Sequence, residues 1–411
     1  MSLSRKAVVG LLVGLLVIAG CSSSSTSSTG TTTPSSPGSA AGAPIKIGLL
    51  GSFSSATAVS GSNLVPGEDE VKAWVQSVNA SGGIKGHPVD LTIEDDATNP
   101  ATALTDAQTL VSDHVVAVID LSQVDSAFGP TLQSAGIPVV GAILPAPEPG
   151  TNPDFFPEGQ TNASSYYAIA RLAKEAGAKN LGLIYCAEAI QCAELVSPMR
   201  AIAKTVGVPV TYTAEISATA PNYTAQCLAA QQAHVQALYI GEPSVVAANF
   251  ITDCSQQGYD PMYAMNAAAY SPVLNTTPGV NNHLWIAFED VPSYDTSLLA
   301  VKAANATMDK QFPGVRHNKD NFIEMDFQAW VATQLLETAV KAGGLTASAT
   351  PSTTEVLNGL YSLHGDTLDG LAPPLTFTKG KANNINCWFT ARVQNNVPTL
   401  QNNGNNTCES N

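Results

Sequence analysis

Along most of this 411-residue chain, short apolar runs alternate with stretches of helical periodicity, and no other feature limits the possible folds as much. Residues 45–50 form an apolar run ending at Gly51; beyond a Ser-rich loop, Val71, Trp74, Val75 and Val78 recur at helical spacing. The unit repeats. Further strand candidates lie at 89–93, 115–119, 138–141, 181–185, 208–212, 237–240, 262–265 and 284–288, with helical stretches near 101–112, 125–135, 164–177, 193–206, 222–233 and 244–257 between them. Strands separated by helices of about 10–15 residues build right-handed βαβ crossovers, and so parallel sheets covered on both faces. There are more strands than one sheet holds comfortably, which predicts an α/β protein of two doubly wound, parallel-sheet lobes. After Phe288 the alternation stops, and 296–311, 322–342 and 352–361 read as successive helices.

The chain opens differently. Arg5 and Lys6 precede an apolar run over 7–19 that stops at Gly20-Cys21 and gives way to a run of serines. A basic start, an apolar stretch too short to cross a bilayer and small residues before a cleavage point make residues 1–20 an export signal. The exit of that signal resembles the lipobox of bacterial lipoproteins, which implies lipidation of Cys21 and retention on the outer face of the cytoplasmic membrane. An ordinary signal with an incidental Cys is the alternative. Residues 22–44 carry no charge and no large apolar side chain, so 21–44 reads as the lipidated Cys and a disordered tether with a mean span of about 25–30 Å.

Charge and cysteine usage narrow the function. The formal net charge is −15, from 33 acidic against 18 basic residues, and Arg5 and Lys6 fall inside the export signal. So acidic a surface, without a Lys/Arg cluster, excludes nucleic acid as a partner. Six cysteines remain besides Cys21, and an even number in an oxidising compartment reads as disulfides. Neighbouring pairs are favoured: Cys186 with Cys192, Cys227 with Cys254, and Cys387 with Cys408. A metal site would need closely spaced Cys pairs or His at ligand spacing, and neither occurs. The chain has no G-x-S-x-G, H-E-x-x-H or Walker A motif, so neither catalysis nor a cofactor is expected. The histidines at 87, 114, 234, 283, 317 and 364 are scattered. A triad assembled from distant positions, as in an amidase or esterase, stays open as a remote alternative.

A family resemblance rests on three stretches: Ile45-Lys46-Ile47-Gly48, then Asn79-Ala80-Ser81-Gly82-Gly83-Ile84-Lys85-Gly86, then Glu94-Asp95-Asp96-Ala97-Thr98-Asn99-Pro100. In order and spacing they resemble the N-terminal lobe of the branched-chain amino-acid (leucine/isoleucine/valine) binding proteins, type I periplasmic-binding-protein-like receptors of ABC importers. Gly136-Ile137-Pro138-Val139-Val140 and Thr151-Asn152-Pro153 also match, and the likeness extends loosely to about residue 395. It implies two lobes joined by a three-segment hinge: 45–160 plus about 289–365, and 161–288 plus about 366–411. They would close on a small polar solute, an amino acid or amino-acid-like molecule, for delivery to ABC permease subunits. A lipoprotein that closes in the same way but signals to a membrane partner is the competing expectation.

In open α/β sheets the ligand binds beyond the carboxyl ends of the strands. The loops at issue are 51–62, 120–126, 141–147, 186–191, 241–245, 266–271 and 288–294. The resemblance implies that the first lobe offers amides and hydroxyls to a ligand carboxylate, and the second an acid to its ammonium. Ser122 and Gln123 occupy the hydroxyl-rich loop, and Ser60 lies in the first loop. Ala142, Ile143 and Leu144 lack the usual Ser or Thr but can offer backbone N–H groups. At Asn266 the expected acid is missing. Glu242 is the nearest substitute, with Glu188, Glu289 and Asp290 as further candidates, and Phe288 is a candidate for stacking on the ligand. Each has a bland counterpart: helix capping for Ser122 and Gln123, a solvated loop for Glu242, core packing for Phe288 and turn stabilisation for Asp95 and Asp96. An ammonium taken from water without a charged acceptor loses several kcal/mol, so an amino-acid ligand requires an inward carboxylate.

Overall fold

The computed structural model describes residues 42–54, 64–141, 143–144, 146–188, 190–318 and 322–409. The export signal, Cys21, the tether up to residue 41, Ser60 and Ala142 lie outside the described residues.

The chain first lays down β1 (Ile45–Gly51), α1 (Val65–Ala80), β2 (Val89–Asp95), α2 (Pro100–Ser112), β3 (Ala117–Leu121), α3 (Gly129–Ser134), β4 (Val139–Val140) and β5 (Phe155–Phe156). These strands form one parallel sheet in the order β2-β1-β3-β4-β5. β3 is buried along its whole length and β1 at every position but Lys46, as befits central strands covered on both faces. α2 begins where the Asn99 side chain accepts the amides of Ala101 and Thr102 and Pro100 takes the first helical position. The predicted helix over 125–135 is interrupted: a 3₁₀ turn at Asp125–Ala127 precedes α3, because Pro130 donates no amide and fits only a first turn.

The second sheet collects α4 (Asn162–Glu175), β6 (Leu181–Cys186), α5 (Ile190–Glu194), α6 (Val196–Val206), β7 (Val210–Ile216), α7 (Thr224–Gln232), β8 (Ala237–Gly241), α8 (Ser244–Gln256), β9 (Met262–Asn266) and β10 (Leu284–Phe288). Its parallel part runs β7-β6-β8-β9-β10, the same winding as the first sheet. Strand order therefore reverses between β1 and β3 and again between β6 and β8, which marks the strand ends where ligands bind. α9 (Leu299–Gln311), α10 (Glu324–Ala342) and α11 (Thr353–Ser362) return to the first sheet: α10 packs on α1, α11, β3 and β4.

The chain closes with β11 (His364–Asp366) paired to β12 (Leu375–Thr376), then β13 (Cys387–Gln394), β14 (Val397–Leu400) and β15 (Thr407–Cys408). β13 adds antiparallel to β10, so the second sheet ends in a mixed edge. The sequence reading contained none of these five strands. The β13–β14 connection is a two-residue turn, Asn395-Asn396, with φ of 52° and 61°, the left-handed geometry that hairpins favour and Asn tolerates.

Three connections link the sheets. Two run side by side, since a Cβ on Gly159 would lie 2.5 Å from the Glu289 carbonyl oxygen. Along the third, the Phe377 ring meets the edge of Phe156 at 5.2 Å and Asn383 Nδ2 donates to the Phe155 carbonyl at 2.7 Å. The disulfides are Cys186–Cys192, Cys227–Cys254 and Cys387–Cys408, with Cα separations of 5.5, 5.0 and 4.0 Å. Among the described residues no helix is long and apolar enough to cross a membrane.

Candidate ligand-binding cleft

Strand-end loops of both sheets line one cleft, with about 650 Å³ of empty space including its mouth. Leu144, after β4, and Met325, at the start of α10, come from the first side. The end of β8 brings Tyr239 and Glu242, and the end of β9 brings Asn266 and Ala268. Asn162 and Tyr166 of α4 and Leu195 close the wall, and all three also border an adjoining chamber that reaches Gln123 and Val124.

The chemistry concentrates on the second side. Glu242 is only 2% exposed, and neither carboxylate oxygen has a hydrogen-bond partner. Burial, helped by the negative charge of Glu188, pushes its carboxyl up to about 8. Asn266 presents an unpartnered Oδ1, while its Nδ2 donates weakly to the Tyr239 hydroxyl at 3.4 Å. Burial and the nearby Glu194 push the Tyr166 phenol up to about 12. This wall offers acceptors in a largely apolar setting, and a buried carboxylate left without a partner is costly unless something fills the space before it.

The first side is occupied by its own contacts. Asp96, fully buried, accepts Ser52 Oγ at 2.7 Å, Ser122 Oγ at 2.5 Å and the Thr98 amide at 2.6 Å. The Ser122 amide goes to Asp120, the Gln123 amide to Ser52 Oγ and the Val124 amide to Ser122 Oγ. Asp95 accepts the amides of Phe53 and Ser54.

Of the residues singled out from the sequence, Gln123, Leu144, Glu242 and Asn266 line the cleft or its adjoining chamber. Ser122 does not border it, being turned to Asp96. Ile143 is core. Glu188 sits in an exposed loop, accepting Ser217 Oγ and the Ala218 amide. Phe288 is fully buried between Tyr270 and Tyr294, so it packs the core instead of facing a ligand. Glu289 and Asp290, also buried, lie where the chain leaves the second sheet. Burial pushes Glu289 up to about 8 against a hydrogen bond from Gln328 Nε2 at 3.0 Å, and burial beside Glu158 raises Asp290. The sequence reading missed Asn162, Tyr166, Tyr239 and Met325. Tyr239 was detectable as a polar-tipped residue two positions before a strand-end Gly, whereas Met325 arrives from a helix distant in sequence.

Residues 44–398 match the family described as periplasmic binding protein. The chain belongs to that family. Solved structures share the fold of this periplasmic binding protein across nearly its whole length. A substrate-binding periplasmic protein from Ralstonia solanacearum is 18% identical, with a TM-score of 0.68 over 87% of this chain and 100% of its own. A fatty acid ABC transporter substrate-binding protein from Thermomonospora curvata is 16% identical, with a TM-score of 0.67 over 89% and 93%. The leucine-binding protein LivK from Thermotoga maritima is 15% identical, with a TM-score of 0.65 over 87% and 97%. At such identities the likeness concerns the fold alone. No curated protein matches the chain.

Proposed function

We propose that this periplasmic binding protein is an exported lipoprotein that captures a small polar solute in the cleft and hands it to an ABC permease. The unpartnered, buried Glu242 carboxylate carries the reading, because Glu242 lines a cleft bordered by both sheets. The lobes would be about 45–160 with 289–365, and 161–288 with the C-terminal strands. Phe377 and Asn383, which contact β5, favour a last crossing nearer 384–387 than 366. A solute touching both sides stabilises the closed form in proportion to its preference for it. None of the six histidines, all of them described, lines the cleft or its adjoining chamber, which favours binding over hydrolysis. Two proteins of similar structure, one an ABC transporter substrate-binding protein for fatty acids and one a leucine-binding protein, support transport and differ on cargo. Attachment through Cys21 would keep the receptor near its permease and raise effective concentration.

The test is small-angle scattering of the purified protein during a thermal-shift screen of solutes. A ligand at about 100 times its Kd should add about 2.7 kcal/mol of stability and shrink the radius of gyration. Stabilising hits without compaction would sink hinge closure.

A further inference from the structure

Both sides of the cleft bear on what it accepts. A hydroxyl has one proton to give. Ser52 and Ser122 give theirs to Asp96, while the amides of residues 53, 54 and 122–124 are spent on Asp95, Asp120 and these same two hydroxyls. Among the described residues, these hydroxyls and amides after β1 and β3 are therefore already engaged within the protein. The strand-end loops 51–62, 120–126, 141–147, 186–191, 241–245, 266–271 and 288–294 contain six acids (Asp120, Asp125, Glu188, Glu242, Glu289 and Asp290) and no Lys, Arg or His. An incoming anion finds no counter-charge in these loops. A cation meets Glu242, nine-tenths buried and unpartnered, with the free Oδ1 of Asn266 on the same wall. Leu144, Leu195 and Met325 supply an apolar wall for an uncharged chain.

We infer that the ligand is a small aliphatic amine without a carboxylate, its ammonium held by Glu242 and Asn266 and its chain against Leu144, Leu195 and Met325. This deepens the solute-receptor reading and rests on it. The ionisable groups around Glu242 are Glu188 after β6, Tyr223 before α7, Tyr239 on β8, Tyr166 on α4 and, beyond Tyr166, Glu194 on α5. None is a cation, so an ionised Glu242 would have to take its counter-charge from the ligand. Because the empty site favours the protonated acid, amine binding near pH 7 expels a proton from Glu242.

The experiment is titration calorimetry of the purified protein with four probes of one skeleton: 3-methylbutylamine, leucine, 4-methylpentanoate and 4-methylpentanamide. Measurements at pH 7 use buffers of different ionisation enthalpy. The expected result is that the amine binds at least tenfold tighter than the other three, with release of up to one proton. Glu242→Gln should weaken the amine at least 30-fold while the far-ultraviolet circular dichroism stays unchanged. Tighter binding of leucine, the acid or the amide overturns the amine assignment and leaves the receptor intact, as does an amine affinity unmoved in Glu242→Gln. No binding by any probe also overturns it, and the receptor reading is then decided by the compaction measurement above.

Discussion

Gly159 and Glu289 belong to two different connections between the sheets, yet they touch through bare backbone: a Cβ on Gly159 would sit 2.5 Å from the Glu289 carbonyl oxygen and 3.1 Å from its Cβ. The crossover segments are thus packed as closely as chain allows. Gly159→Ala must push them apart, and overpacking of this kind costs about 1–3 kcal/mol. Urea denaturation should show a lower midpoint in the variant, and an unchanged midpoint would mean that the segments yield freely.

Glu289 also makes the crossover sensitive to pH. Its folded-state value, about 8, lies above the ordinary 4.5, so the folded protein holds a proton that the unfolded chain releases. Stability from this group is complete below about pH 4.5 and declines as pH rises through about 8, by up to about 1.4 kcal/mol per pH unit. Glu289→Gln removes that slope. Thermal melts of parent and variant between pH 5 and 8.5 should diverge in the variant's favour as pH rises, and parallel curves would show that the carboxyl titrates normally in the fold.

Two disulfides should separate stability from binding. Cys227–Cys254 ties α7 to α8 across 27 residues, and replacing both with Ser should cost about 3–4 kcal/mol by loop entropy with little change in ligand affinity. Cys186–Cys192 closes only six residues, and Cys192 lines the cleft. Opening it should cost less stability and more affinity. Denaturation and calorimetry on both double variants check the contrast, which a larger affinity loss in the α7–α8 variant would refute.

What the sequence reveals here follows range. The parallel strands other than the two-residue β5 were legible because each carries its own apolar run, and Glu242 was legible as an acid directly after one of them. Ser122 misled for a tertiary reason: its hydroxyl had an alternative acceptor in Asp96, 26 positions earlier, and no local pattern reports such competition. Phe288 ended a strand like a ligand contact but found Tyr270 and Tyr294 as neighbours. Met325 reached the cleft from α10, a helix that periodicity alone leaves without an address. The β13–β14 hairpin had a local signal, Asn395-Asn396, that the search for alternating helices passed over.

The single carboxylate of Asp96 staples two loops that lie 70 positions apart, Ser52 to Ser122, and so makes this side of the cleft a preset anvil. Substitutions around Tyr239, Glu242 and Asn266 would reshape the cleft without loosening it, whereas a change at Asp96 breaks the staple itself.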